Sequence, residues 1–303
     1  NKFTSYYINI LYFFSITSLI FYLILIVSPG LRETLTYSVA PFFETAAYSK
    51  EYAVPSPNIL IYTLNFGSSD SLLRNSGPFW EPGAFAGFLM IALLFNLVKS
   101  KNLFDKKNIV MVFSVITTFS TTGYIVLFLF LIYYFWFISE SRFKQVPIIL
   151  IFFISIFLFF NSSFLGEKIS NQLSYSQGDV SYSDRSRFVS ALVDLKDFLE
   201  DPIFGKGVNI ETRYDEYNPY WSHRNNGVTD FAVKFGIVGF CIYFYSMFLS
   251  FRKYTSLNNF KSNYAYFFIL VILLLGFSEV YFYRVFFISL SLLHLGLDDS
   301  EDL

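Results

Sequence analysis

Apolar residues along this chain gather into long runs divided by polar segments. Residues 8–27 form the first run, about long enough to cross a hydrocarbon core of roughly 30 Å as a helix. Ser28-Pro29-Gly30 ends it, and from 31 to 83 the composition is mixed, with Pro41, Pro55, Pro57 and Gly67. Residues 28–83 therefore read as a long external loop with one helix near 31–47. A second run, 84–98, stops at the basic loop of Lys99, Lys101, Lys106 and Lys107. Residues 109–138 read in one of two ways. They form two short crossings broken at Ser120-Thr121-Thr122-Gly123, whose freed backbone groups need burial in protein or a wet cavity, or they form a single tilted helix. Runs at 147–161, 228–250, 264–278 and 282–296 follow. The pattern predicts an all-α polytopic membrane protein with about eight transmembrane helices. It forms a single membrane domain, 1–303, with a large external loop at 162–227.

Composition excludes a soluble domain. With 54% hydrophobic and only 15% charged residues, the chain has too much apolar surface to fold in water. The net charge of -1 says nothing about partners, because in a membrane protein the positions of Lys and Arg matter and their sum does not. The positive-inside rule assigns to the cytoplasm the loop 99–108, the pair Arg142 and Lys144, and the group Arg252, Lys253 and Lys261. Parity then puts Arg74, Glu81, the Ser-Thr-Thr-Gly break, the loop 162–227, Glu279 and Arg284 on the external side. His294 falls at the opposite end and reads as structural. The single cysteine, Cys241, has no internal disulfide partner and reads as packing. The chain opens on Asn1, as a fragment lacking earlier spans would, and shows no cleavable signal peptide.

Candidate chemistry lies on that external side. In Arg74-Asn75-Ser76-Gly77-Pro78-Phe79-Trp80-Glu81-Pro82-Gly83 an Arg and a Glu stand at the mouth of an apolar segment, where charge is costly and usually kept for function. The alternative is a structural Arg74–Glu81 ion pair. Residues 184–200 read as an amphipathic helix with Phe188, Ala191, Leu192, Leu195, Phe198 and Leu199 at helical spacing. Arg185 and Arg187 flank its apolar stripe, either snorkelling at a membrane surface or aiming guanidinium groups at a lipid pyrophosphate. Tyr217, Tyr220 and Trp221 suit an interfacial belt, or stacking on sugar rings. His223 stands among polar neighbours at the start of a span, where an imidazole can exchange a proton near neutral pH. Glu279 either belongs to the site or pairs with a nearby arginine to hold it. No metal-ligand spacing and no glycine-rich nucleotide cradle is present, so neither metal nor cofactor is expected, and nucleic acid is not an expected partner.

Taken in order, Arg74-x-x-Gly77-x-Phe79-x-Glu81-Pro82-Gly83, Ser120-Thr121-Thr122-Gly123, Arg187 followed by Asp201-Pro202-Ile203-Phe204-Gly205-Lys206-Gly207, and His223 followed by Gly236-Ile237-Val238-Gly239 resemble the bacterial O-antigen polymerase and O-antigen ligase superfamily. The polymerase branch is slightly favoured. The resemblance, over about residues 70–245, implies a multi-pass, membrane-embedded glycosyltransferase of the bacterial inner membrane, acting in polysaccharide and lipopolysaccharide biosynthesis. It implies a metal-independent active site on the periplasmic side, with undecaprenyl-pyrophosphate-linked glycan as donor and acceptor, membrane lipid around it and a chain-length regulator as a further partner. It further implies that Arg187 holds the pyrophosphate and that His223 serves catalysis, although His223 stands two residues before the family's histidine position, which Asn225 occupies. Arg74, Arg224 and Arg284 are the other available cations, and Glu81 the other proton acceptor. A ligase acting on lipid A core or protein, and a polysaccharide flippase or transporter, are the competing readings.

Overall fold

The structure, a computed structural model, describes residues 2–43, 57–66, 73–139, 187–209 and 225–297. Internal contacts divide the chain into two compact units, Asn1–Ile148 and Ile149–Leu303. The described residues are mostly helical, and the chain is a membrane protein built from apolar helices.

In the first unit, helix α1 (Lys2–Val27) is followed by α2 (Pro29–Thr34), which tightens through a π-helical turn (Leu35–Val39) into a 3-10 turn (Ala40–Phe42). This is the helix expected near 31–47, in three pieces. Two short antiparallel strands, β1 (Leu64–Phe66) and β2 (Leu73–Asn75), pair Leu64 with Asn75 and Phe66 with Leu73. They are an addition that the helical reading lacked. Helix α3 (Pro82–Ser100) is buried along nearly its whole length, as an all-round apolar helix requires. Pro82 opens it with a fixed φ and no N–H to leave unpaired, and left-handed Lys101 closes it on the Leu97 carbonyl at 2.8 Å. Tyr7 of α1 donates to the Phe88 carbonyl of α3 at 2.8 Å. Ser15 lies against Ser114 of α4 (Lys106–Thr117), whose hydroxyl reaches the Ser15 carbonyl at 3.3 Å, a close approach that small residues permit.

The helical path between 109 and 138 breaks where the Ser-Thr-Thr-Gly motif predicts. Helix α4 stops at Thr117, Phe119 turns left-handed (φ 48), and Ser120 caps α5 (Thr121–Tyr133), which a π-helical turn extends to Ile138. Only the second half has crossing length. At about 1.5 Å per residue α4 is roughly 18 Å long, short of a hydrocarbon core. The expected eight crossings are accordingly not reached among the described residues. Four helical stretches are long and apolar enough to span: Lys2–Val27, Pro82–Ser100, Thr121–Ile138 and Gly227–Leu257. Tyr264–Ser278 and Val285–Leu295 are shorter apolar helices, and the run 147–161 lies outside the described residues.

The second unit packs α6 (Arg187–Glu200), α8 (Tyr264–Ser278) and α9 (Val285–Leu292) against the long α7 (Gly227–Leu257). Ring contacts fill the interfaces: Phe251 stacks on Phe268 at 4.2 Å, and Phe231 meets Phe282 and Tyr283. His294 rests its Nδ1 3.0 Å from the Ser250 hydroxyl at the far end of α7. The expectation for it was structural, and this contact joins α7 to the chain end of α9.

Helix α7 is not continuous. Gly236 (φ 62, ψ -174) breaks it, freeing carbonyls before the break and N–H groups after it. The turn 202–207 takes up both sets. Lys206 and Gly207 donate to the carbonyls of Val233 and Lys234 at 2.8 and 3.0 Å, and Ile237 and Val238 donate to those of Pro202 and Ile203 at 2.8 and 3.2 Å. The two glycine-bearing motifs, thirty residues apart in sequence, are thus the two halves of one backbone joint. Lys206 also pairs with Glu200 of α6, which holds that exposed carboxyl below its ordinary value.

Close approach at the joint leaves no room for side chains. A Cβ on Gly205 would sit 2.5 Å from the Gly236 nitrogen and the Val233 oxygen, and one on Gly236 would sit 2.2 Å from the Ile203 oxygen. Gly207 is also left-handed (φ 81), but a Cβ there meets nothing within 4 Å. Gly207→Ala is therefore expected to cost only the left-handed strain of about 1–2 kcal/mol, whereas Gly205→Ala and Gly236→Ala break the joint and add the clash. Thermal unfolding in detergent should show a modest drop in midpoint for the first and loss of the folded protein for the other two. Equal effects for all three would contradict the joint.

Candidate functional site

The first unit holds the Arg74–Gly83 motif. Arg74, in the middle of β2, donates from Nε and Nη2 to the carbonyls of Thr118 and Phe119 at 3.2 and 3.1 Å. A guanidinium thus caps the end of α4, where unpaired carbonyls and the helix dipole favour positive charge. Its neighbour Asn75, fully buried, donates from Nδ2 to Thr117 at 2.9 Å and to Ser18 at 3.3 Å, and accepts from the Gly77 N–H at 3.0 Å. Gly77 is left-handed (φ 51) and lies under the Phe85 ring, which in turn stacks on Phe79 at 5.5 Å. Glu81 occupies the N-cap of α3 in extended conformation with its side chain capping nothing, and among the described residues it forms no ion pair with Arg74. The alternative Arg74–Glu81 pair is therefore not formed. The Glu81 carboxylate stands partly exposed at the positive end of the α3 dipole. Past the α4 break, the Ser120 hydroxyl accepts from the Gly123 N–H at 3.2 Å, and Gly123 packs directly on Ala86 of α3.

In the second unit one face of α6 carries Arg187, Ser190 and Asp194, spaced three and four residues apart so that they line up. Arg187 donates from Nε to the Ser278 carbonyl at 2.6 Å and from Nη2 to Glu279 Oε1 at 3.2 Å, capping the end of α8 as Arg74 caps α4. Its side chain is 27% exposed and that of Glu279 only 11%, so the ion pair is partly withdrawn from water. The Ser190 hydroxyl accepts from the Asn225 N–H at 3.4 Å, and fully buried Asp194 accepts from the Thr229 hydroxyl at 2.6 Å. Asn226 caps α7 through Oδ1, at 3.1 and 3.2 Å from the N–H groups of Val228 and Thr229. A Cβ on Gly227 would lie 2.3 Å from the Glu279 carbonyl, so the start of α7 meets the end of α8 with no side chain between them.

One turn further along α7, buried Asp230 accepts from Lys234 Nζ and from the Tyr283 hydroxyl, both at 2.8 Å, while Lys234 lies 4.3 Å from the centre of the Tyr283 ring. Charge inside an apolar helix is costly, and here it is compensated by an ion pair, a hydrogen bond and a ring face. Arg284 occupies the N-cap position of α9 with its side chain exposed and capping nothing, and its N–H donates to the Tyr281 carbonyl at 2.8 Å.

Of the residues singled out from sequence, Arg187 and Glu279 come together in the second unit, with Arg284 on the same 279–284 connection as Glu279. Arg74 and Glu81 lie in the first. Arg185, Tyr217, Tyr220, Trp221, His223 and Arg224 lie outside the described residues. Sequence reasoning missed Asn75, Ser190, Asp194, Thr229, Asp230, Lys234 and Tyr283. Asp230 and Lys234 carried a readable signal, opposite charges four residues apart in an apolar run. Asp194 carried one too, an acid seven residues past Arg187 on the polar side of an amphipathic helix.

Against known proteins, the sequence model of the O-antigen ligase family matches residues 108–244, somewhat under half of the chain. That stretch contains the α4–α5 break, Arg187, the joint and the start of α7. No curated protein and no solved structure shows significant similarity to the chain.

Removing Arg187 takes one charged partner from the Ser278 carbonyl and from the mostly buried Glu279 carboxylate. Arg187→Ala should therefore destabilise the protein by about 2 kcal/mol, at the lower end for a broken pair because the arginine is partly exposed. Adding Glu279→Gln should give back about 1 kcal/mol of that loss. A double-mutant cycle on thermal unfolding in detergent measures the coupling, and strictly additive losses would show that the pair contributes nothing.

Proposed function

We propose that this chain, a relative of the O-antigen ligases over residues 108–244, polymerises lipid-linked oligosaccharide repeat units by inverting, metal-independent glycosyl transfer on the periplasmic face of the bacterial inner membrane. The donor and acceptor are undecaprenyl-pyrophosphate-linked glycans. The observation that carries the reading is the arginine-bearing face of α6, held against the starts and ends of the α7 and α8 helices within the matched stretch and its neighbour.

In the reaction an acceptor hydroxyl attacks the anomeric carbon of the donor. A new C–O bond forms, the bond to pyrophosphate breaks, and the leaving group carries away the electron pair. Negative charge grows on the pyrophosphate, and fixed guanidinium groups in a poorly hydrated pocket stabilise it better than water does. Arg187 is suited to this. Of a guanidinium's five N–H donors, it engages one on Ser278 and one on Glu279, which fixes the plane of the group and leaves others for phosphate oxygens. Arg224 and Arg284, of the same unit, supply further positive charge. His223 accepts the hydroxyl proton, and Tyr217, Tyr220 and Trp221 offer faces for sugar rings. Arg185 and Glu279 support Arg187. The ligase description of the matched family favours one second reading, transfer of finished glycan to lipid A core or protein.

The test is glycan ladder length in a strain deleted for the gene and complemented, at matched membrane levels, with wild type, Arg187→Ala or Arg187→Lys. Polymerase activity is expected to restore a ladder with wild type and to leave a single repeat unit on the lipid core with Arg187→Ala. Arg187→Lys should give a sparse ladder, since a point charge lacks the bidentate fork. Polymer stranded on undecaprenyl pyrophosphate in the deletion would instead identify a ligase, and repeat units retained on the cytoplasmic face a flippase.

A further inference from the structure

Helix α6 is inside out by the standard of a soluble protein. Among its described side chains those buried are Ser190 and Asp194, with Arg187 half-buried beside them, while Leu192, Leu195 and Leu199 are 58%, 53% and 68% exposed. These leucines, three and four residues apart, follow one another over two turns on the face away from Asp194. The turn that follows continues the surface, with Ile203, Phe204 and Val208 exposed at 55%, 77% and 65%. In water such an arrangement would set a contiguous apolar patch outward and a carboxylate inward, against the hydrophobic driving force. Two features of the second unit decide what covers the patch. The turn is hydrogen-bonded to Ile237 and Val238, themselves exposed, on the outer flank of a helix long and apolar enough to span a membrane. The patch is therefore continuous with a surface that faces lipid. The joint also falls at the right depth. The stretch of α7 from Gly236 to the cations Arg252 and Lys253 is about 24 Å long, most of a hydrocarbon core of roughly 30 Å. Side chains of Arg252 and Lys253 can snorkel to one boundary, which brings Gly236 and the turn to the other.

We infer that α6 and the turn 202–208 form an interfacial element that lies in the membrane surface, with Leu192, Leu195, Leu199, Ile203 and Phe204 among the acyl chains. An amphipathic helix in this position sinks its apolar face about 5–10 Å into the headgroup boundary. Exposed Lys196, at the edge of the leucine face, then lies at the level of lipid phosphates. The polar face turns the other way, so Arg187, Ser190 and Asp194 meet α7 and α8 at headgroup depth. Arg187 is thereby held where a phosphate group attached to a membrane-bound chain travels, whatever the reaction performed on it. The occupant of the leucine face is lipid.

Nitroxide accessibility in the full-length chain tests this. With Cys241→Ala as background, single cysteines are introduced as Leu195→Cys, Leu199→Cys and Phe204→Cys, all at exposed positions where a label displaces no packing. Ile242→Cys, on the exposed flank of α7, serves as the lipid reference, and Ser262→Cys, in the exposed connection between α7 and α8, as the water reference. In liposomes of phosphatidylethanolamine and phosphatidylglycerol, labels at 195, 199 and 204 should collide with oxygen several-fold more than with a nickel chelate, as at 242. Nickel collisions equal to those at 262 would place the face in water and overturn the inference. Suppressed collisions with both agents would overturn it as well, by showing that protein covers the face, either another segment of the chain or a second copy.

Discussion

A polypeptide that leaves helical geometry beside lipid has to find partners for its N–H and C=O groups within the protein, because the bilayer core offers none. Much of the second unit follows from one such event. The break at Gly236 frees four backbone groups, and the turn 202–207 satisfies them with four of its own. Two chain segments are locked by main chain alone, and each glycine at the crossing is required by the other. The consequences run outward from there. The turn fixes the end of α6, α6 presents Ser190 and Asp194 to the start of α7, and Arg187 reaches the end of α8. A helix discontinuity thus becomes the point from which a polar face is aimed.

The same economy governs the arginines. In each unit a guanidinium is placed on the final carbonyls of a helix, Arg74 on those after α4 and Arg187 on that of Ser278 after α8. Helix ends in an apolar setting need donors, and a partly buried arginine needs acceptors, so each stabilises the other. An arginine held through Nε and one terminal nitrogen has lost most of its side-chain freedom before any anion arrives. That is the preorganisation which electrostatic stabilisation of a leaving group demands. The stabilising and the proposed chemical role of Arg187 therefore rest on one geometry.

Much of the fold could be read from the chain. The apolar runs at 8–27, 84–98, 228–250, 264–278 and 282–296 became helices because a segment without polar side chains has no other way to satisfy its backbone in lipid. The break at Ser120–Gly123 was legible because small polar residues and glycine mark freed backbone groups, and the order of glycine motifs pointed to the family whose sequence model matches 108–244. Of the expected eight crossings, four find support in long apolar helices among the described residues. Hydropathy located the segment 109–138 and showed each half to be short for a crossing, but not where α4 stops, since Phe119 ends it in a conformation its sequence does not announce.

What the chain by itself determined, then, is where helices form and which residues interrupt them, because both are local consequences of side-chain polarity and backbone freedom. What only the tertiary structure decided is which interruptions meet. That Gly205 faces Gly236, that Asp194 is buried on Thr229 while Leu195 faces outward, and that Glu279 pairs with Arg187 depend on distances between segments remote in sequence. Helical periodicity reports two faces of α6 without saying which one turns inward. In water the apolar face would be buried. Beside lipid the polar face is, because there unpaired charge, and not exposed hydrocarbon, is the costlier thing to leave outside.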